Sequence, residues 1–277
     1  MSLSRVQRVG GGAGGAGLTA AQTTAVNNVS LGDIDDFTGT LHNYWQFGIP
    51  NTQSSGTYQV TTYSPSSSGL TMVVSSAETK FNGSGVAKPV GFWRMIHQPD
   101  FDIAIDIDNI ANQTTFHSDE WHVHLAVCIG SSLRHNSMFA ARLENKGSDW
   151  TCARVIKPSY QEQWTGGYVD SLDTGLTGFD AGSPPPNVRL RIQHSNANSG
   201  YKAYYSLNSG GSYTTLEGGS GGTGFFQMHT KDNGVGGSYN KYAVGGPHCV
   251  LVTVGRNNNQ ASASNQGSCR VKFKDLS

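Results

Sequence analysis

Residues 101–108 read FDIAIDID, and this strict alternation constrains the fold more than any other stretch of the chain. Successive side chains of a β-strand point to opposite faces, so Phe101, Ile103, Ile105 and Ile107 share one face and Asp102, Ala104, Asp106 and Asp108 the other. On a helix the same residues would scatter apolar and charged groups around the axis and leave no face to bury. Comparable runs recur: TYQVTTY, LTMVVSS, GFWRMIHQ, WHVHLAVCIG, MFAARLE, WTCARVI, VRLRIQ, YKAYYSL, YTTLEG, HCVLVTVG and CRVKFKDL. Between them, ENKGSD, NANSG and NSGGS supply the Gly and Asn that tight hairpins need for positive backbone angles. Short strands with turn clusters at close intervals predict an all-β sandwich or barrel. The 36 Gly and the 14% of charged residues agree with strands and turns rather than helices.

An all-β domain can occupy nearly all of 277 residues without splitting in two. Residues 33–277 are therefore expected to form one sandwich domain. Residues 1–32 read differently. They hold Arg5 and Arg8, the run GGGAGGAG, and LTAAQTTAVNNVSL, which has the composition of a brief helix. Glycine-rich sequence makes a mobile tether, so this segment is expected to be a flexible arm that gains order only against another chain. Two long connections, near 158–187 and 217–247, interrupt the regular spacing of strands. Both carry aromatics: Tyr160, Trp164, Tyr168 and Phe179 in one, Phe225, Phe226, Tyr239 and Tyr242 in the other.

Charge narrows the function. The 19 basic and 19 acidic residues cancel, and no stretch concentrates Lys and Arg, so nucleic acid is not an expected partner. No run of about 18 apolar residues predicts membrane insertion, and the N-terminal segment lacks the apolar centre of a secretory signal. The expectation is a protein made in, and at first kept in, the cytosol. The four cysteines, Cys128, Cys152, Cys249 and Cys269, lie in or beside apolar runs without C-x-x-C spacing, which reads as buried thiols. Cys249 and Cys269 flank what reads as a C-terminal hairpin, where oxidising conditions would allow one cross-strand disulfide.

The stretch VRLRIQHSNANSGYKAYYSLNSGGSYTTL resembles the strand–turn–strand–turn–strand meander of concanavalin A-like jelly rolls, in particular the modules appended to bacterial β-xylosidases. The matching elements are Leu190, Arg191 and Ile192, then Gly200, then Tyr201, Tyr204, Tyr205 and Ser206, then Gly210, Gly211 and Tyr213. FWRMIHQPDFDIAIDID, GLTMVVSS and the terminal CRVKFKDLS resemble further strands of that fold. The resemblance spans roughly residues 35–277, with the two long connections as insertions, and implies a jelly-roll β-sandwich. The glycine-rich lead-in is similar in composition to those of phage tail, head-fibre and decoration proteins.

Several constellations invite a chemical reading. In FHSDEWHVHLAV a strand places Glu120, His122 and His124 on one face, with His117 just before it, the residue types that meet at a divalent ion. The alternative is a solvated face or polar groove, with Trp121, Val123 and Leu125 packed inward. Asp106 and Asp108 with Glu120, His122 and His124 form the polar cluster that a polysaccharide-active enzyme would use. The laminarinase-like members of the superfamily carry Glu around a central Asp, whereas this run has only Asp. Polysaccharide lyases of the fold place an Arg, a Gln-x-His and a Tyr on the concave face. Arg191, Gln193, His194, Tyr204 and Tyr205 supply the types, but Gln193 and His194 are adjacent and point to opposite faces.

No G-x-S-x-G elbow, H-E-x-x-H helix or P-loop occurs, and GGSGGTG lacks the Lys-Ser/Thr that cradles phosphate. No catalytic residue, metal or cofactor is therefore assigned. The aromatic connections remain. Tyr160, Gln163, Trp164, Tyr168 and Asp170 combine sugar-stacking faces with hydroxyl-binding groups; the same aromatics would equally pin a loop to the sandwich or face a neighbouring subunit. The sequence thus points to a non-enzymatic virion surface protein. Residues 1–32 would dock it to other virion proteins and the jelly roll would face a cell-surface glycan. Assembly would take place in the host cytoplasm, and a homo-oligomer is expected. A glycoside hydrolase or lyase, or its carbohydrate-binding module, is the alternative.

Overall fold

The computed structural model describes residues 45–48, 62–66, 68–74, 91–96, 98, 100–112, 121–129, 138–145, 149–157, 170–180, 182–198, 200–216, 229–231, 239–241, 248–256 and 267–277. All of them belong to the compact unit Asp35–Ser277. The strands are β1 (Gln46–Gly48), β2 (Thr62–Ser66), β3 (Gly69–Val74), β4 (Gly91–Ile96), β5 (Phe101–Asn112), β6 (Trp121–Ile129), β7 (Met138–Asn145) and β8 (Asp149–Lys157). They continue with β9 (Asp170–Asp180), β10 (Asn187–Ser195), β11 (Gly200–Ser206), β12 (Thr214–Thr215), β13 (His229–Lys231), β14 (Tyr239–Lys241), β15 (His248–Arg256) and β16 (Gly267–Asp275). No helix occurs among the described residues.

Two seven-stranded antiparallel sheets account for all but one pair of strands. The first has the order β1-β4-β15-β6-β7-β8-β9 and the second β12-β11-β10-β5-β16-β3-β2; β13 and β14 pair separately. Rings from the two sheets meet between them: Phe139 stacks on Tyr201 with centroids 5.4 Å apart, and Tyr63 meets Phe92 edge-on at 4.7 Å. This is the jelly-roll β-sandwich expected from the sequence.

Strand β5 shows why the residues choose this arrangement. Ile103, Ile105 and Ile107 are fully buried, opposite Ile192, Leu190 and Val188 of β10. On its other side β5 pairs with β16, where Phe273 faces Ile105 and Val271 faces Ile107. The alternation ends at a bulge. Ser268 opposes Ala111 but Arg270 opposes Asp108, so β5 carries one extra residue there, and Asn109 takes a left-handed φ of 49°. Asn tolerates that region better than most residues.

Two expectations need correction. Residues 158–187 and 217–247 are expected to be long connections, yet His229–Lys231 and Tyr239–Lys241 pair as β13 and β14 within the second, and within the first Asp170–Asp180 form β9, the edge of the first sheet. Its stretch TGLTGFD has little to bury: of Thr174 through Asp180 only Leu176 is buried, and Gly178 has a φ of +90°. Pairing with β8 rather than apolar burial makes it a strand, and the register slips between Asp149 and Thr151. The second correction concerns Cys249 and Cys269, which do not flank a hairpin. Cys249 lies on β15 of the first sheet and Cys269 on β16 of the second, and both are buried free thiols, as is Cys152. Burial pushes the Cys152 and Cys269 thiols up.

One polar cluster lies between the sheets. His248 Nε2 and the Tyr201 hydroxyl are hydrogen-bonded at 2.6 Å, with the His194 ring 4.7 Å from His248 and Phe101 5.0 Å from it. His248 Nδ1 has no hydrogen-bond partner. An imidazolium there would leave a charged N–H unmatched, and burial, followed by the neighbouring His194, pushes His248 down from 6.5 to about 3. The unfolded chain takes up this proton near pH 6.5 and the folded chain only near pH 3, so the unfolded state binds more protons in that window. Stability is then fully present above pH 6.5 and falls as the pH is lowered, by up to about 1.4 kcal/mol per pH unit for one such proton. Urea unfolding at a series of pH values should show this slope. In His248→Phe the slope should be shallower than in the wild type; an unchanged slope would remove His248 as its source.

Candidate functional site

On the first sheet, alternate residues face away from the second sheet. Strand β6 turns Val123, Leu125 and Val127 into the core, so His122, His124 and Ala126 point outward. The register then assembles a patch. His124 lies opposite Arg142 on β7 and Thr253 on β15, and His122 lies opposite Glu144. Glu144 in turn faces Thr151 on β8. Four strands thus bring together two imidazoles, a guanidinium, a carboxylate and two hydroxyls, from positions as far apart in sequence as His122 and Thr253.

This outward patch is not solvated. His122 is 1% exposed, His124 0%, Arg142 2%, Glu144 1%, Thr151 7% and Thr253 1%. The rings of His122 and His124 meet edge-on at 4.5 Å, and Arg142 Nη2 lies 2.7 Å from Glu144 Oε2. Oγ1 of Thr151 and Oγ1 of Thr253 are buried without a hydrogen-bond partner. Along the strands the patch gives way to an apolar floor of Trp93, Leu251, Ala126, Ala140, Ala153 and Val155. The alanines in the middle are themselves buried, as are the polar groups beside them. Arg142, the imidazoles and the threonines are donors and Glu144 is an acceptor, group types that bind hydroxyls.

Of the residues singled out in the sequence, His122 and His124 belong to this patch, and the expectation of a solvated face for them is corrected: they are buried on the outward side. Asp106 and Asp108 are elsewhere, on β5 of the second sheet, so the structure does not bring them to the histidines. Each is bound by an arginine on the outward face of that sheet. Asp106 accepts from Arg189 Nε at 2.5 Å and Nη2 at 2.9 Å, with Lys274 Nζ 3.5 Å away. Asp108 accepts from Arg270 Nε at 2.6 Å and Nη2 at 2.7 Å. Asp102 is held the same way by Arg191. These bonds raise the three guanidiniums further.

The lyase-type set is divided as well. Arg191, Gln193 and Tyr204 face outward on the second sheet, while His194 points into the core beside Tyr201 and His248. Glu120, His117, Tyr160, Gln163, Trp164 and Tyr168 lie outside the described residues, and Asp170 begins β9 with its side chain outside them. Among the described residues no group of three or more His, Cys, Asp or Glu is placed to hold a metal ion.

Sequence reading missed Arg142, Glu144, Thr151 and Thr253. The alternation of MFAARLE does put Ala140, Arg142 and Glu144 on one face, but nothing local says that this face abuts His122 and His124.

No family model matches the chain, and no curated protein matches it. Among solved structures it is similar to an engineered GH43 glycoside hydrolase with endo-xylanase and exo-arabinofuranosidase activity. The identity there is 14%, with a TM-score of 0.49, over 90% of this chain and 42% of that one. The chain therefore spans less than half the length of that enzyme. It is also similar to an alginate lyase of Pseudomonas aeruginosa, at 13% identity and a TM-score of 0.46 over 84% and 97% of the two chains. A third is the CBM2 module of the evolved Dit protein of Lactobacillus casei BL23 phage J-1, at 8% identity and a TM-score of 0.46 over 86% and 91%. Likeness at this level assigns the chain no activity.

The buried ion pair makes a direct prediction. With the two side chains 3% and 1% exposed, Arg142→Met removes one charge of a buried pair and should destabilise the fold by about 3–5 kcal/mol. Arg142→Met combined with Glu144→Leu leaves no lone charge and should be less destabilised than Arg142→Met alone. Urea midpoints of the three proteins check both statements.

Proposed function

We propose that this chain is a non-enzymatic jelly roll displayed on a virion surface, where it engages a cell-surface glycan. The observation that carries the non-enzymatic part is the state of the carboxylates. Asp102, Asp106, Asp108 and Glu144, on the central strands β5 and β7, are each paired with an arginine. Hydrolysis of a glycosidic bond uses carboxyl oxygens that can reach the substrate, and in each of these carboxylates oxygens are already held by a guanidinium. The polar groups on the outward side of the first sheet, with Thr151 Oγ1 and Thr253 Oγ1 lacking a hydrogen-bond partner, support a hydroxyl-bearing ligand. So do the aromatic residues Tyr160, Trp164 and Tyr168, with Gln163 and Asp170, as a second contact region. Residues 1–32, with their glycine run, are the proposed docking arm towards other virion proteins, with assembly in the host cytoplasm and a homo-oligomeric state.

Two measurements test this. Mass spectrometry of purified particles should detect the chain in stoichiometric amount; its absence from particles overturns the virion reading. A glycan array with residues 33–277 compared with the full chain should give the same ligands, and Trp164→Ala or Thr253→Val should weaken binding about tenfold or more. Retention of full binding in both variants overturns the proposed sugar sites.

A second reading is favoured by one observation: the imidazoles of His122 and His124 stand beside Glu144 in a buried patch. That arrangement would serve a polysaccharide-active enzyme. Release of reducing ends or unsaturated sugars from a polysaccharide panel, lost in His124→Gln while the far-ultraviolet spectrum is retained, would replace the binding reading with this one.

A further inference from the structure

The outward face of the second sheet is organised in stripes of charge. Strand β5 lies between β10 and β16 and presents Asp102, Asp106 and Asp108. Strand β10 presents Arg189 and Arg191, and β16 presents Arg270, Lys272 and Lys274. Neighbouring strands lie about 4.8 Å apart, so two basic rows run about 10 Å apart with an acidic row between them. Five cations against three carboxylates leave this set two positive charges in excess, in a chain whose 19 basic and 19 acidic residues cancel.

The guanidiniums are also held rigidly. Arg191 is clamped between the Tyr204 and Tyr213 rings, its Cζ 4.9 and 4.7 Å from their centroids. Arg189 Nη1 donates to the Tyr213 hydroxyl at 3.4 Å. The turn at Gly210 closes over the same group: with φ at +93°, a Cβ there would fall 2.0 Å from Arg189 Nη1. An arginine has five N–H donors and a bidentate carboxylate takes two of them, so each fixed guanidinium keeps donors for a second anion. Ordinary solvated sheet faces carry long side chains that lose entropy when they bind. Here that entropy is already lost, which favours binding of a repeating anion.

We infer that this face is a docking surface for an anionic polysaccharide whose carboxylate or sulfate groups bridge the basic rows of β10 and β16. The surface is on the second sheet, apart from the patch on the first, and the inference does not depend on that patch or on Tyr160, Trp164 and Tyr168 being a sugar site. A polysaccharide is favoured over nucleic acid because the tyrosine rings are already occupied by Arg191 and offer no open platform for bases.

The test uses the full chain and its Lys272→Gln/Lys274→Gln variant, which leaves the three arginine–aspartate pairs in place. Binding to immobilised alginate, a polyuronate, and to carrageenan, a sulfated galactan, is measured against neutral dextran and single-stranded DNA over a salt series. Expected are binding to at least one anionic polysaccharide and none to dextran. The double variant should bind about tenfold or more weakly, with a shallower dependence on salt. The arm that binds, alginate or carrageenan, identifies the anion. Equal binding by the double variant, no binding to either anionic polysaccharide, or equal or tighter binding to DNA overturns the inference. Trp164→Ala and Thr253→Val, run beside it, should leave this binding unchanged, so failure here and failure of the proposed sugar sites are told apart.

Discussion

Everything in the described structure leans on the placement of β5 between β10 and β16. Its inward isoleucines lie at the centre of the second sheet's inner face, and its outward aspartates find arginines on both neighbouring strands. Burial of each isoleucine contributes on the order of 1.5–3 kcal/mol, which dominates. The ion pairs keep contact with water, with side chains of Arg189 and Asp106 12% and 23% exposed, and each adds little net stability. What the pairs add is register. A slip of one residue would turn the isoleucines to solvent and bring three aspartates against the core, so hydrophobic and ionic demands select the same alignment.

The two sheets use their outward faces differently. On the second sheet the charges remain partly hydrated, and one partner can be lost with water taking its place. On the first sheet the Arg142–Glu144 pair is almost fully removed from water. A chain keeps such a pair at some expense in desolvation, whereas valine or leucine would fill the same space without it. Its retention next to two histidines and two threonines sets this patch apart from a face that merely needs covering.

How much of this was legible in the sequence follows from the range of the interactions. The strand at FDIAIDID was readable because its pattern is local: Phe101 through Asp108 announce both faces by themselves. The same holds for β10, where Val188, Leu190 and Ile192 alternate with outward arginines. Strand β9 was not readable, since an edge strand held by backbone pairing with β8 needs no apolar stripe, and DSLDTGLTGFD shows none. The inward direction of Val123 and Leu125 was readable and the outward direction of His122 and His124 with it. Their burial was not, because it depends on groups remote in sequence. The pairing of Arg142 with Glu144 next to those histidines needed the β6–β7 register, and the Cys249 and Cys269 assignment failed for the same kind of reason. Apolar alternation marks both strands but not the sheets to which they belong.

The aspartates of FDIAIDID carry the last step. Read alone, three carboxylates on one strand face suggest hydrolytic chemistry. A carboxyl that donates a proton to a leaving group must be protonated before the reaction, and one that attacks as a nucleophile must be free to approach carbon. Bidentate binding by Arg191, Arg189 and Arg270 occupies both oxygens of each aspartate and leaves neither role an open oxygen. The residues that look most catalytic in the sequence are thus the ones committed to alignment, and the same commitment leaves outward-facing guanidinium donors on a rigid sheet.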